Sequence, residues 1–149
     1  MSRRPTTDQL IEIAQKKVEA AARALGALNA RQQEAEAKLR LLVNYREDYF
    51  LRFQQAAATG IDNHRLHNFR AFMEKLDVAI TEQHAVLADA RQAVRGGQSR
   101  WHAEQQRLTS YQVLAERRRL TEQARDAKRE QREQDEHAAR LYQRNRASA

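Results

Sequence analysis

Apolar residues recur along the first third of the chain in alternating steps of three and four. From Ile11 the steps land on Ala14, Val18, Ala21, Leu25 and Leu28. They continue through Gln32, Ala35, Leu39, Leu42, Arg46, Tyr49 and Phe53. Only Gln32 and Arg46 are polar. A 3.5-residue repeat held over roughly six heptads predicts an α-helix in a left-handed coiled coil. The two polar seam positions are expected to set register at some cost in stability. Ahead of the seam, Thr6-Thr7-Asp8-Gln9 reads as a capping box in which Thr6 and Gln9 satisfy each other's backbone N–H groups. The first helix is therefore predicted to start just after Pro5.

A second seam follows. Steps of four and three from Phe69 give Met73, Leu76, Ile80, Gln83, Leu87 and Ala90. The series then runs through Val94, Gly97, Trp101, Glu104, Leu108 and Tyr111 before the phase slips. A weaker series, Leu120, Ala124, Ala127, Gln131, Gln134, Ala138 and Leu141, continues toward the end. Between the two seams lies Thr59-Gly60-Ile61-Asp62-Asn63. Gly60 can end a helix in the left-handed conformation, Ile61 can close the apolar contact beside it, and Asp62 or Asn63 can cap the next helix. A link of about five residues makes its helices antiparallel neighbours.

The predicted fold is all-α: one domain, a long antiparallel two-helix coiled-coil hairpin with a C-terminal helical overhang. Helix one spans about 6–57, the hinge about 58–63 and helix two about 64–142, with the overhang from about 118. The start of helix one lies opposite roughly residues 108–115, where the second seam loses its phase. The overhang is expected to fray when alone, and Arg146-Ala147-Ser148-Ala149 to be disordered. Within it, Glu122–Arg125 and Asp126–Arg129 are spaced to pair. Gly97 is expected near Leu25 and Gly26, as a close helix approach rather than a flexing point.

Composition narrows the function. The 149 residues include one Pro, four Gly and no Cys, with a mean hydropathy of −0.92. Such a chain favours long helices and a narrow seam over a deep core. It offers no disulfide and no thiolate zinc site, and a cytosolic setting is the expectation. Met1-Ser2-Arg3-Arg4-Pro5 lacks the apolar stretch of a signal peptide. The net charge of +7 suggests an acidic partner, a membrane surface or nucleic acid. Acidic residues are interleaved nearly everywhere, which reads as a salt-bridged exterior. Arg117-Arg118-Arg119 is the densest basic block, but seven acidic residues run from Glu116 to Glu136 inclusive, unlike the basic region of a zipper protein.

No catalytic constellation is present, and neither enzyme activity nor a cofactor or small-molecule ligand is expected. His64 and His67 could share a metal, but a capping and surface role is favoured. The surplus lies beside the hinge. Val43, Tyr45, Phe50 and Phe72 are apolar yet fall off the seam. They either thicken the core where the helices splay or form an exposed patch for a protein partner.

These stretches carry a resemblance. Leu42-Val43-Asn44-Tyr45-Arg46-Glu47-Asp48-Tyr49, the run to Gly60-Ile61, Asn68-Phe69-Arg70-Ala71-Phe72 and Leu76-Asp77-Val78-Ala79-Ile80 resemble the flagellar export protein FliJ family. Ala21-Ala22-Arg23, Trp101, Gln106-Arg107-Leu108 and Glu116-Arg117 follow the same pattern. The resemblance implies a component of the bacterial flagellar type III export apparatus, cytoplasmic and peripheral at the inner membrane. It implies a stalk-like, non-enzymatic adaptor similar to the central stalk subunit of rotary ATPases. The implied partners are the hexameric export ATPase, the cytoplasmic domain of the membrane export gate, and export chaperones, with no nucleic acid. By position, the gate contact carries over to Leu42, Tyr45, Tyr49, Phe72, Leu76 and Ala79, with Lys38 and Gln83 as weaker matches. Contact with the ATPase is assigned by charge to Lys16, Lys17, Arg117, Arg118 and Arg119. A basic coiled-coil nucleic-acid binder and a self-associating structural coiled coil remain as alternatives.

Overall fold

A computed structural model describes Arg4 and residues 6–148. Pro5, expected just ahead of the first helix, and Ala149, expected at a disordered end, lie outside them. Two helices account for nearly all of the described chain: α1 over Thr7–Ala58 and α2 over Asn63–Ala147. The helix thus continues past the expected end near 142, and Ser148 Oγ donates to the Arg144 carbonyl at 2.7 Å.

Local chemistry sets each boundary. At the start of α1 the Thr6 amide donates to Gln9 Oε1 at 2.9 Å, and the Gln9 amide donates to Thr6 Oγ1 at 3.3 Å. Two amides that no helical carbonyl can reach are thereby satisfied reciprocally. At the other end, the Thr59 and Gly60 amides donate to Ala56 and Ala57, each at 3.2 Å. Gly60 turns the chain at φ 101°, a conformation in which a Cβ would be strained. Asp62, rather than Asn63, then caps α2: its Oδ1 accepts from the Arg65 amide at 2.8 Å while its carbonyl accepts from Leu66.

Packing groups the chain into two units. The first, Lys17–Glu104, holds the turn and both helices on either side of it. Here α1 and α2 run antiparallel, as Leu25 meets Gly97, Ala35 meets Gln83, and Phe53 meets Phe69. Every residue of the two predicted seams that falls in this unit is buried or half-buried. Ala21, Ala35, Met73, Leu76, Leu87 and Val94 are the most enclosed. Ala35 on α1 faces the longer Gln83 on α2, and small residues on one side let two helices approach closely. Gly97 shows how closely. A Cβ there would sit 2.9 Å from Leu28 Cδ1 and 3.3 Å from Leu25 Cδ1. Gly26 is not part of that contact, because nothing lies within 4 Å of where its Cβ would be.

Polar groups in this unit lock the register, though not as the seam alone suggests. Gln83 is buried, and its Nε2 donates across the seam to the Ala35 carbonyl at 3.1 Å. Arg46 Nε donates to Asp77 Oδ1 at 2.6 Å. Gln32, expected to set register with Arg46, bonds instead to Glu36 one turn along its own helix at 3.2 Å. A long amide on the seam margin reaches its own helix at lower entropic cost than the opposite one.

The second unit comprises the residues up to Lys16 and those from Gln105 onward. Ala14 is buried, Ile11, Leu108, Tyr111 and Ala115 are half-buried, and Arg118 Nη1 donates to Thr7 Oγ1 at 2.8 Å. From Glu116 to Ser148 every residue is exposed, including Leu120, Leu141 and Tyr142. Ion pairs there stay within one helix: Glu116–Arg119, Asp126–Arg129 and Glu136–Arg140. The expected Glu122–Arg125 pair does not form. Water solvates both groups and the gain from such a pair is only a few tenths of a kcal/mol, about 0.3–0.5.

Candidate functional site

The helices on either side of the turn carry six aromatic rings in a continuous ladder. Phe53 and Phe69 stack with centroids 3.6 Å apart, and Tyr49 lies 5.5 Å from Phe69 and 4.5 Å from Phe72. Tyr45 meets Phe72 edge-on at 6.0 Å, and Phe50 lies 6.4 Å from Phe69. The seam supplies Tyr49, Phe53 and Phe69. The off-seam residues divide. Val43 and Phe72 are half-buried and thicken the core, whereas Tyr45 and Phe50 are open to solvent, 51% and 42% exposed. Rings this large cannot all fit between two helices, so the ladder spills out on both sides of the seam.

The six residues assigned to the gate contact fall together but differ in access. Tyr45 is exposed, while Leu42, Tyr49, Phe72 and Ala79 are half-buried. Leu76 is buried at 7%, so it supports the patch from beneath and cannot be its contact surface without the helices parting. Gln83 is likewise enclosed, and Lys38 is exposed. A depression of about 370 Å³ opens beside Tyr45, Tyr49, Phe53 and Phe69, with Arg52 and Arg65 at its edge. Those two arginines escaped the sequence reading because neither belongs to a seam or to a run of like charge.

The basic candidates are all exposed. Lys16 Nζ lies 3.6 Å from Glu12, and Arg118 is bound to Thr7. Arg119 grips Glu116 through two bonds, at 2.6 and 3.0 Å. That hydrogen bond holds the Glu116 carboxyl below its ordinary range, against desolvation and with a lesser contribution from the charge of Arg119. The same bond raises the Arg119 guanidinium. Lys17 and Arg117 form no ion pair among the described residues. Among the described residues no group of three or more His, Asp or Glu side chains is placed to hold a metal. No helix there is long and apolar enough to cross a membrane.

Two long helices joined by one capped turn, with solvent-facing aromatics beside it, define a helical-hairpin protein. The family described as flagellar FliJ protein matches residues 6–147, and the chain belongs to that family, whose members are components of flagellar export. Its relatives include the flagellar FliJ protein of Escherichia coli K12, 32% identical over 91% of this chain and 92% of that one. The flagellar FliJ protein of Salmonella typhi is 28% identical over 97% of this chain and 98% of its own length. A solved Chlamydia trachomatis protein described as a YscO homolog has the same fold, with a TM-score of 0.71 over the whole of both chains at 17% identity.

Proposed function

We propose that this chain serves flagellar export as a non-enzymatic, stalk-like adaptor that links the hexameric export ATPase to the export gate and hands on export chaperones. The observation that carries the reading is the aromatic patch of Tyr45, Tyr49 and Phe72, built jointly by two helices in a member of this family. Aromatic side chains left partly open next to a packed seam are the usual anchors of a protein interface. The gate's cytoplasmic domain would meet Tyr45 and Phe72 first, with Leu42, Tyr49 and Ala79 filling the contact and Leu76 backing it. The ATPase would meet Lys16, Lys17 and Arg117, with Arg118 and Arg119 released from their present partners. The adaptor would work in the cytoplasm, at the inner face of the membrane.

The test is co-purification of the full chain with the export ATPase hexamer and with the gate's cytoplasmic domain, alongside motility after deletion. Retention of both partners and loss of swimming are expected. Retention of neither, in a strain that swims normally after deletion, would overturn the reading.

A further inference from the structure

The two flanks of the Lys17–Glu104 unit are chemically unlike. On one, the helices are tied across the seam by Arg46–Asp77 at 2.6 Å and Arg91–Glu36 at 3.6 Å. The other flank has no such tie among the described residues. Its inner row on α1 reads Lys17, Ala24, Arg31, Lys38, Tyr45 and Arg52, each seven residues from the last. The facing row on α2 reads Arg65, Phe72, Ala79, Val86, Ala93 and Arg100, again at steps of seven. Neither row contains a carboxylate. All six cations are exposed, and none makes an ion pair among the described residues.

Shallow depressions follow this flank. Arg31 and Val86 line two of them, of about 280 and 260 Å³. Lys17 and Arg100 border another, and Arg52 and Arg65 the one beside the aromatic ladder. Carboxylates enter only as Glu34, Asp89 and Glu104, three against six cations. Between the cations the surface is apolar: Val86 and Tyr45 are each 51% exposed, and Phe72, Ala79 and Ala93 are half-buried.

We propose that this flank is a groove for a third helix: an acidic amphipathic helix of a partner protein, with a heptad apolar stripe and glutamate or aspartate beside it. The proposal rests on the reading of Tyr45 and Phe72 as a partner surface, and it extends that surface along the flank and names the chemistry of what binds. Seven residues of helix rise about 10.5 Å, so the cations recur at the spacing at which a heptad helix presents its flanking charges. An apolar strip between them receives the stripe, and charges at the edge select orientation and partner. Nucleic acid suits the groove less well, because Phe72, Ala79, Val86 and Ala93 offer nothing to a phosphate backbone.

The probe is a fluorescein-labelled synthetic peptide of about four heptads, with Leu at its seam positions and Glu beside them. Anisotropy is read on the full chain. Saturable binding is expected, weakened about tenfold or more by Arg31→Glu with Lys38→Glu, and by Val86→Asn, with helix content unchanged by circular dichroism. Arg70→Glu, on the tied flank, should leave it within about twofold. A peptide with Lys in place of Glu, and an oligothymidylate of similar length, should not bind. No binding of the acidic peptide at about 100 μM, equal binding by the Arg31/Lys38 variant, or equal binding of the oligonucleotide would each overturn the proposal. The assay contains no export component. Its failure therefore leaves the adaptor reading standing, and failure of the gate or ATPase to co-purify leaves the peptide result standing.

Discussion

Tyr45 and Phe72 meet edge-on across the two helices, 6.0 Å between ring centroids, yet half of Tyr45 remains in water. Phe72 is tied in more firmly, with Tyr49 only 4.5 Å away. Tyr45→Ala should therefore cost about 1 kcal/mol or less of stability, in the range of an aromatic pair. Phe72→Ala should cost more, though less than the about 3–5 kcal/mol of a fully buried aromatic. Binding to the gate's cytoplasmic domain should fall about thirtyfold or more in the double variant. Urea denaturation and a binding titration on the same preparation separate the two effects. A loss of stability as large as that of a core aromatic, with binding intact, would assign the pair to the core.

Gly96 and Gly97 are neighbours with opposite surroundings. Nothing lies within 4 Å of a Cβ built on Gly96, whereas one on Gly97 meets Leu28 and Leu25. Gly96→Ala should stabilise the chain by about 1 kcal/mol through helix propensity alone. Gly97→Val should destabilise it by about 1–3 kcal/mol, since the leucines must leave their places. Thermal melts of the two variants, expected to shift in opposite directions, check this.

Gln83 holds a buried bond to the Ala35 carbonyl. Gln83→Ala should lower stability by about 1–2 kcal/mol, through the lost bond and the space left behind. Gln83→Leu should restore stability but weaken register, because an apolar side chain packs equally well in a slipped pairing. Disulfide trapping between cysteines placed at Leu28 and Val94 reads the register, and an unaltered pattern of cross-links would deny Gln83 that role.

The Glu116–Arg119 pair makes a prediction about pH. Its bond holds the carboxyl below the ordinary range, so the pair contributes above the unfolded-state pKa of glutamate. The contribution fades as pH falls through the lowered folded value. Arg119→Gln should return the Glu116 titration, followed by side-chain carboxyl NMR, upward toward the ordinary range. Both groups are exposed to solvent, so added salt should shrink the difference.

Backbone amides beyond about Gln123 should exchange much faster than those from Met73 to Val94, since no tertiary packing encloses them. Hydrogen exchange with mass spectrometry on the free chain, and again with the ATPase, should show protection appearing only in the complex. Equal protection of both segments in the free chain would contradict this.

Much of the fold was legible because helix periodicity is local. The heptad steps from Ile11 and from Phe69 picked residues that are now buried or half-buried, and Thr6, Gln9, Gly60 and Asp62 marked the helix ends through chemistry within a few residues. The family resemblance rested on the same stretches. What the pattern could not supply was the far side of each contact. Gln32 and Gln83 look alike along the chain, yet only Gln83 has a carbonyl of the opposite helix within reach, and Gln32 turns back to Glu36. Tyr45 and Phe72 both stand off the seam, but Phe72 is drawn in by Tyr49 while Tyr45 is left half open. The cations of the two rows, Lys17, Arg31, Lys38 and Arg52 on α1 and Arg65 and Arg100 on α2, are scattered in sequence among acids. Only when α2 lies antiparallel beside α1 do the two rows share one flank, and the ties at Arg46 and Arg91 fall on the other. Helix type and helix ends follow from interactions between near neighbours. Which side chains meet, and which charges stay without partners, depends on the pairing of distant residues, and packing alone decides that.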